Sequence, residues 1–206
     1  MNKNHTAIIL LLFAIIVVLS GIFFFVKKPS IPASSQNGTA TSTEKTYLDP
    51  SLHYSIRYPA DFSPNTAYSY TALGPGKDIH GVSFTVPSSM SAGTNLSSDT
   101  YLSVESMATS TCSALAFLDE PASTSTQTIV ENGTTYEIAK GGGAAAGNFY
   151  EEYVYALPKT NPCIAIRYFI HSTNIGNYPP NTVKAYDKEA LLSSFDEMRR
   201  SFTLNP

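Results

Sequence analysis

Two cysteines, four histidines and a few paired charges carry whatever chemistry this chain can do. Cys112 and Cys163 are its only thiols. Outside the cytoplasm an even pair forms a bridge. It would close a loop of about 50 residues, worth about 3–4 kcal/mol by loop entropy. Two free buried thiols are the alternative. Nothing resembles Cys-x-x-Cys, so redox work is not indicated. The histidines are His5, His53, His80 and His171, and none forms a His-x-His or His-x-x-x-His pair. Zinc would need His53, His80 and His171 to converge, with Glu151 or Glu152 as a fourth ligand. No Asp-x-Asp-x-Asp-Gly run suggests calcium. No cofactor is called for.

The run from Gly141 to Gly147, GGGAAAG, invites a nucleotide reading. No Gly-Lys-Ser/Thr follows, so it is not a phosphate-cradling loop. Gly141, Gly143 and Ala146 fit G-x-G-x-x-A by spacing. A strand follows, however, and the dinucleotide motif needs a helix N-terminus for the pyrophosphate. A flexible or bulged connection between two strands is the expectation. Serine is abundant, but no Gly-x-Ser-x-Gly occurs. Ser172 adjoins His171, and neighbours on a strand point to opposite faces.

The surface of most interest lies near the C-terminal end of the strand that starts at Cys163. Alternation puts Arg167, Phe169 and His171 on one face. Ile164, Ile166, Tyr168 and Ile170 take the other. Phe149, Glu151, Tyr153 and Tyr155 share a face of the neighbouring strand. Arg167 could pair with Glu151 or Glu152, depending on register. One reading is a salt-bridged Arg167 under a helix edge. The other is an aromatic groove in which Arg167, His171, Glu151 and Tyr153 bind an acidic or sugar-like ligand.

The elements that must position these residues are mostly strands. Tyr54 to Pro59, Val82 to Val86 and Tyr101 to Val104 alternate or read as short strands. Gln127 to Val130 and Thr135 to Ile138 flank Glu131-Asn132-Gly133-Thr134. Asn-Gly tolerates positive φ, so this is the strongest hairpin signal in the chain. Phe149 to Ala156 and Cys163 to Ile170 alternate around a turn from Pro158 to Pro162. A short helix is expected over Cys112 to Leu118, capped by Thr109, Ser110 or Thr111 and stopped by Pro121. A longer one is expected over Lys188 to Ser201. There Leu191, Phe195, Met198 and Phe202 share a face, Asp187 is the N-cap, and Arg199 and Arg200 complement the last turn. Antiparallel strands with few helices indicate an α+β domain, mainly antiparallel sheet with helices flanking it.

Ala7 to Val26 is a run of 20 uncharged residues, AIILLLFAIIVVLSGIFFFV. At 1.5 Å per residue it spans roughly 30 Å, the thickness of a hydrocarbon core. It is longer than a cleaved signal's apolar run, and Lys27-Lys28 follows at once. A transmembrane signal-anchor helix is expected, with a cleaved signal as the alternative. Leu19-Ser20-Gly21 begins a lipoprotein box, but residue 22 is Ile, so no thiol can be acylated there. The chain therefore divides into a tail (1–6), a span (7–26), a Ser/Thr/Pro-rich flexible linker (27–46) and a domain (47–206). Lys3 before the span against Lys27 and Lys28 after it leans towards a cytoplasmic domain. The low-charge linker, the lysine-poor domain and the cysteine pair favour the outside of a bacterial cytoplasmic membrane instead, which is the reading adopted.

Of 13 Lys and Arg and 16 Asp and Glu, four lysines and Glu44 precede Tyr47, which leaves 9 against 15 in the domain. A domain at −6 with no basic stripe is a poor nucleic-acid binder. With 43% hydrophobic and 12% aromatic residues, it is not a disordered chain.

The domain opens with Tyr47-Leu48-Asp49-Pro50 and HYSIRYPADF from His53 to Phe62. It closes with the amphipathic helix and Ser201-Phe202-Thr203-Leu204. These ends resemble the PsbP-like superfamily. The middle stretches, GVSFTVPSSM and CIAIRYFIHSTNIGNYPP among them, look like those of bacterial exported or membrane-anchored proteins with no assigned activity. The resemblance implies an antiparallel sheet sandwiched between helices (α/β/α). It also implies a non-catalytic accessory or binding role, with a protein or envelope partner the sequence does not name. It carries over no site residue. An extracytoplasmic hydrolase and a small-ligand binder are the alternatives. The anchor reading predicts that the full-length chain stays with membranes through a carbonate wash. Its appearance in the supernatant would point to a cleaved signal instead.

Overall fold

A computed structural model describes residues 43–204. The tail (1–6), the expected span (7–26) and linker residues 27–42 lie outside the described residues. Among the described residues, no helix is long and apolar enough to cross a membrane.

In chain order the strands are β1 (Glu44–Asp49), β2 (Tyr54–Pro59), β3 (Ser63–Tyr70), β4 (Ile79–Thr85), β5 (Tyr101–Met107), β6 (Gln127–Glu131), β7 (Thr134–Ala145), β8 (Asn148–Leu157), β9 (Cys163–Thr173) and β10 (Thr203–Leu204). A four-residue helix, α1 (Ser88–Ser91), follows β4, and α2 (Lys188–Arg200) precedes β10. Two 3₁₀ turns, Ala114–Phe117 and Ile175–Asn177, complete the set. Seven strands form one antiparallel sheet in the order β3-β4-β5-β9-β8-β7-β6, and β1-β2-β10 form a second, smaller one. The architecture is α+β and mainly antiparallel, as the sequence pattern indicates.

The central strand β9 explains the layering. Its residues Ile164, Ile166, Tyr168 and Ile170 join Leu191, Phe195, Met198 and Phe202 in the larger core. Those helix residues recur at helical spacing, so one face of α2 is apolar and lies on the sheet. Asp187 caps α2 by accepting from the Ala190 N–H at 2.9 Å. The small sheet covers the rest of this face through Tyr54, Ile56 and Tyr58, with Phe202 5.2 Å from Tyr54 between ring centres.

The opposite face of β9 carries Cys163, Ala165 and Arg167. Here Ala139, Val154, Ala156 and Ala165 pack against Ala114, Phe117 and Leu118. Small side chains on three adjacent strands leave a shallow trough, and the segment after Cys112 lies in it. The Cys112–Cys163 disulfide fastens that segment to the start of β9. The helix expected over Cys112 to Leu118 is only a 3₁₀ turn, Ala114–Phe117. Its cap is Ser113, whose Oγ accepts from the Leu115 N–H at 3.4 Å. One face of the main sheet thus carries a helix and the other a single 3₁₀ turn, because the eight residues between Cys112 and Pro121 are too few for an α-helix to offset the cost of its nucleation.

Three other features depart from the sequence reading. Glu44, Lys45 and Thr46, assigned by composition to the linker, pair with Pro59, Tyr58 and Arg57 as part of β1. Strand β3 was not expected, and β5 runs on to Met107. The glycine run is not a loose connection, since Gly141 to Gly143 sit inside β7 and the turn falls at Ala146-Gly147, both with positive φ. The Asn132-Gly133 hairpin stands where expected, with φ of 49° and 80° and Glu131 opposite Thr134.

Phe195 is fully buried between Tyr168 and Phe62. Phe195→Ala should cost about 3–5 kcal/mol in chemical denaturation. Val130→Ala, on an exposed β6 position, should stay within about 0.5 kcal/mol. A loss below about 1 kcal/mol at Phe195 would contradict the packing described.

Candidate functional site

Register decides which side chains meet. Across the main sheet, Ser103 lies opposite Arg167, and Arg167 opposite Val154. Glu105 lies opposite Ala165, and Phe169 opposite Glu152. Glu105, Arg167 and Glu152 therefore stand on three neighbouring strands and on one face. Tyr68, Gly81 and Glu105 form a row across β3, β4 and β5. Gly81 presents no side chain, so Tyr68 reaches over it to Glu105.

Arg167 is wholly buried, and each of its nitrogens has a partner. Nε donates to Glu105 Oε1 at 2.8 Å and Nη2 to Glu105 Oε2 at 2.9 Å, a bidentate pair. Nη2 also donates to the Phe117 carbonyl at 2.6 Å, and Nη1 donates to Glu152. The guanidinium lies 3.7 Å from the centre of the Tyr70 ring. The Tyr68 hydroxyl (2.7 Å) and the Ser103 hydroxyl (2.8 Å) donate to Glu105, and the Tyr70 hydroxyl donates to Glu152 at 3.2 Å. Burial works against the arginine's charge, but Glu105 outweighs it and holds the guanidinium protonated. Burial pushes the Glu152 carboxyl up, and Arg167 offsets this only in part. Burial and then Glu105 push the Tyr68 hydroxyl up, so it remains a donor.

The four residues read as ligand-binding divide between two faces. Arg167 and His171 lie on the face just described. Glu151 and Tyr153 lie opposite Ile170 and Tyr168, on the α2 face. There Lys188 Nζ donates to Glu151 at 2.5 Å, and the Tyr153 hydroxyl donates to Glu151 at 3.1 Å. Of Glu151 and Glu152 it is Glu152 that reaches Arg167, beside Glu105, while Glu151 pairs with Lys188 at the start of α2. His171 Nδ1 is 2.8 Å from Asp99 and Nε2 is 3.1 Å from Asn148 Oδ1, while its ring stacks on Tyr150 at 4.6 Å. Exposed His53 and His80 do not join it, and among the described residues no group of three or more His, Cys, Asp or Glu is placed to hold a metal ion.

A groove with aromatic walls lies on the Arg167 face, and none of Arg167, His171, Glu151 or Tyr153 lines it. Tyr150 lies opposite Gly143, and Glu152 opposite Gly141. A cavity of about 360 Å³ lies beside them, lined by Tyr70, Ala72, Tyr150, Phe169, Asp119, Glu120 and Glu152 and by the segment from Gly142 to Ala145. An added Cβ on Gly142, at φ +134°, would lie 2.1 Å from the Tyr150 carbonyl oxygen, and one on Gly141 would lie 2.7 Å from that of Glu120. The chain from Glu120 to Ala122 runs along β7 here, with Gly142 N–H donating to the Glu120 carbonyl and Ala122 N–H to that of Lys140. Beside the cavity, Tyr101 stacks on Phe169 at 4.9 Å, and Phe169 is 6.1 Å from Tyr150. With His171 these rings make a partly buried aromatic ribbon across β5, β9 and β8. Arg167 stays beneath it and lines no part of the cavity. Glu105, Tyr70, Tyr101, Asp119 and Glu120 were missed by the sequence reading. Alternation of Ser103 and Glu105 with Leu102 and Val104 was the available signal for Glu105.

No protein-family model matches the sequence, and no curated protein matches it. Solved structures do resemble it. The solution structure of the cyanobacterial PsbP of Synechocystis is 16% identical, with 84% of this chain and 99% of that one covered and a TM-score of 0.42. A crystal structure from Bacteroides thetaiotaomicron is 12% identical, with 79% and 48% covered and a TM-score of 0.45. The Saccharomyces cerevisiae Ran-binding protein Mog1p is 10% identical, with 80% and 96% covered and a TM-score of 0.45. PsbP, whose superfamily the chain ends resemble, is thus also among the structural neighbours.

Removing Arg167 leaves two buried carboxylates facing one another, so Arg167→Met should cost about 3–5 kcal/mol or prevent folding. Glu152→Gln, which keeps an acceptor and removes surplus charge, should stay within about 1 kcal/mol. The folded domain holds the Glu152 proton more tightly than the unfolded chain does. Stability from this group is therefore present below the ordinary carboxylate value of 4.5 and lost as pH rises through the raised one. Denaturation across that window should show a fall in the natural protein that Glu152→Gln flattens. Parallel pH profiles for the two would refute the assignment.

Proposed function

We propose that this chain is a non-catalytic binding or accessory module of the bacterial envelope. Residues 7–26 anchor it in the cytoplasmic membrane, and the domain stands outside. The observation that carries the reading is the partly buried ribbon of Tyr101, Phe169, Tyr150 and His171, which still reaches the surface beside an open groove. Clustered aromatic rings at a surface are the side chains that recognition surfaces use most.

The groups with chemical potential are already engaged. Arg167 spends its donors on Glu105, Glu152 and Phe117. His171 Nδ1 meets Asp99 as it would in a triad, but Nε2 faces Asn148 Oδ1 and not a hydroxyl or thiol, which speaks against the hydrolase reading. Cys112 and Cys163 are bonded to each other, which suits an oxidising compartment. An acidic ligand would find carboxylates in the groove and no accessible arginine.

A photo-reactive residue placed at Tyr150 in membrane-embedded full-length protein tests the reading. It should give a discrete adduct with an envelope component, whereas the same residue at exposed Val130 on the far edge strand should not. Adducts of equal yield at both positions, or none at Tyr150, would remove the recognition surface.

A further inference from the structure

The ion cluster under the groove does not balance. One guanidinium stands between two carboxylates, and the cluster's other hydrogen-bonding members are neutral: Tyr68 and Ser103 donate to Glu105, Tyr70 donates to Glu152, and the Phe117 carbonyl accepts from Arg167. Arg167 and Glu105 are completely enclosed. Glu152 is about one-tenth exposed in its side chain, and that tenth opens into the groove. A surplus negative charge is thus held in a poorly solvated place, with one route out. Charge in such a place needs a proton or a partner.

The route is lined for a particular partner. Two more carboxylates, Asp119 and Glu120, stand at the groove, and its lining contains no Lys, Arg or His. The other walls are the rings of Tyr70, Tyr150 and Phe169, with Ala72 and the segment from Gly142 to Ala145. Ring faces attract cations, more strongly where water is excluded. The cavity, about 360 Å³, falls at the small end of the usual range for ligand sites. A neutral sugar could stack on the rings but would leave the surplus charge unanswered, and an acid would be repelled.

We propose that the groove between Tyr70, Tyr150 and Phe169 binds an organic cation, an alkylammonium or guanidinium group, whose charge meets Glu152, Asp119 and Glu120. This names the ligand chemistry of the face already read as a recognition surface and rests on that reading. The glycine run keeps the site open, since a Cβ on Gly143 would lie 2.9 Å from Glu120 Oε2. The raised proton affinity of Glu152 adds a pH dependence, because protonation removes the charge the cation meets. Binding should weaken as pH falls through that range. Of the other titratable groups at the groove, Asp119, Glu120, Tyr70 and Tyr150 line it directly; Arg167 on β9 and the Tyr70 hydroxyl on β3 donate to Glu152, and Glu105, bound by Tyr68, stands beyond Arg167.

Calorimetric titration of the full-length protein in detergent at neutral pH tests this. The probes are choline for a free cation and N-acetylarginine amide for a displayed guanidinium, with glucose and glucuronate for comparison. At least one cation should bind saturably, and glucose and glucuronate should not. Tyr150→Ala, Glu120→Gln and Glu152→Gln should each weaken it about tenfold, while Tyr150→Phe, which keeps the ring, should bind normally. Near-ultraviolet circular dichroism identifies any variant that fails to fold, and Tyr150→Phe against Glu120→Gln then carries the comparison. Saturable binding of glucose or glucuronate, no saturable binding of either cation, or binding indifferent to all these changes would overturn the proposal. An adduct at Tyr150 alongside failed cation binding would leave the surface standing and remove only its ligand.

Discussion

A guanidinium in the middle of a seven-stranded sheet has to be answered from the strands on either side. Arg167 is answered by Glu105 on β5 and Glu152 on β8. A one-residue slip of either strand would turn its carboxylate to the opposite face, among Ile164, Ile166 and Tyr168. A slip that separates a buried charge from its partner costs several kcal/mol beyond the loss of apolar contacts, about 3–5 kcal/mol for a broken buried pair. The cluster therefore fixes the alignment of β5, β9 and β8. It also reaches beyond the sheet, since Arg167 takes the Phe117 carbonyl and so places the segment that covers this face.

The two faces solve the covering problem differently. On one, large apolar residues of β9 meet an amphipathic helix, and burial of Leu191, Phe195 and Met198 carries the stability. On the other, alanines lower the surface and a short strap replaces the helix. The strap is held by a disulfide at Cys112, by Glu137, which accepts from the Ser113 hydroxyl and the Ala114 N–H, and by the arginine at Phe117. Beyond Phe117 the strap contributes Asp119 and Glu120 to the groove. The same few residues that close the core therefore build one wall of the surface beside it.

Much of this was legible in the sequence, and the physical reasons for the rest are specific. Strict alternation along β9 gave its two faces, and helical spacing in α2 gave its buried stripe. Asn132-Gly133 gave its hairpin, and an isolated cysteine pair gave its bridge. Alternation says which residues share a face within a strand, but not which lie opposite across a ladder. Arg167 could therefore not be assigned to Glu152 over Glu151 until the pairing of β8 and β9 was known. Strand β3 was hidden because Ser63-Pro64-Asn65-Thr66 reads as a turn and its first five residues are exposed. The glycine run was misread because glycine usually weakens a strand, and the neighbouring chain that demands it is distant in sequence.

That run has a consequence for how freely this protein can vary. Gly141 and Gly142 are confined by backbone carbonyls, and Gly143 by a carboxylate side chain. Gly142 and Gly143 also line the hollow beside Glu152 and Tyr150. Most surfaces can be reshaped by exchanging side chains while the scaffold beneath is left alone. Here the scaffold and the hollow are one constraint, so new specificities would have to arise from the opposing wall, at Tyr70, Asp119, Glu120 or Phe169, with the glycines held constant.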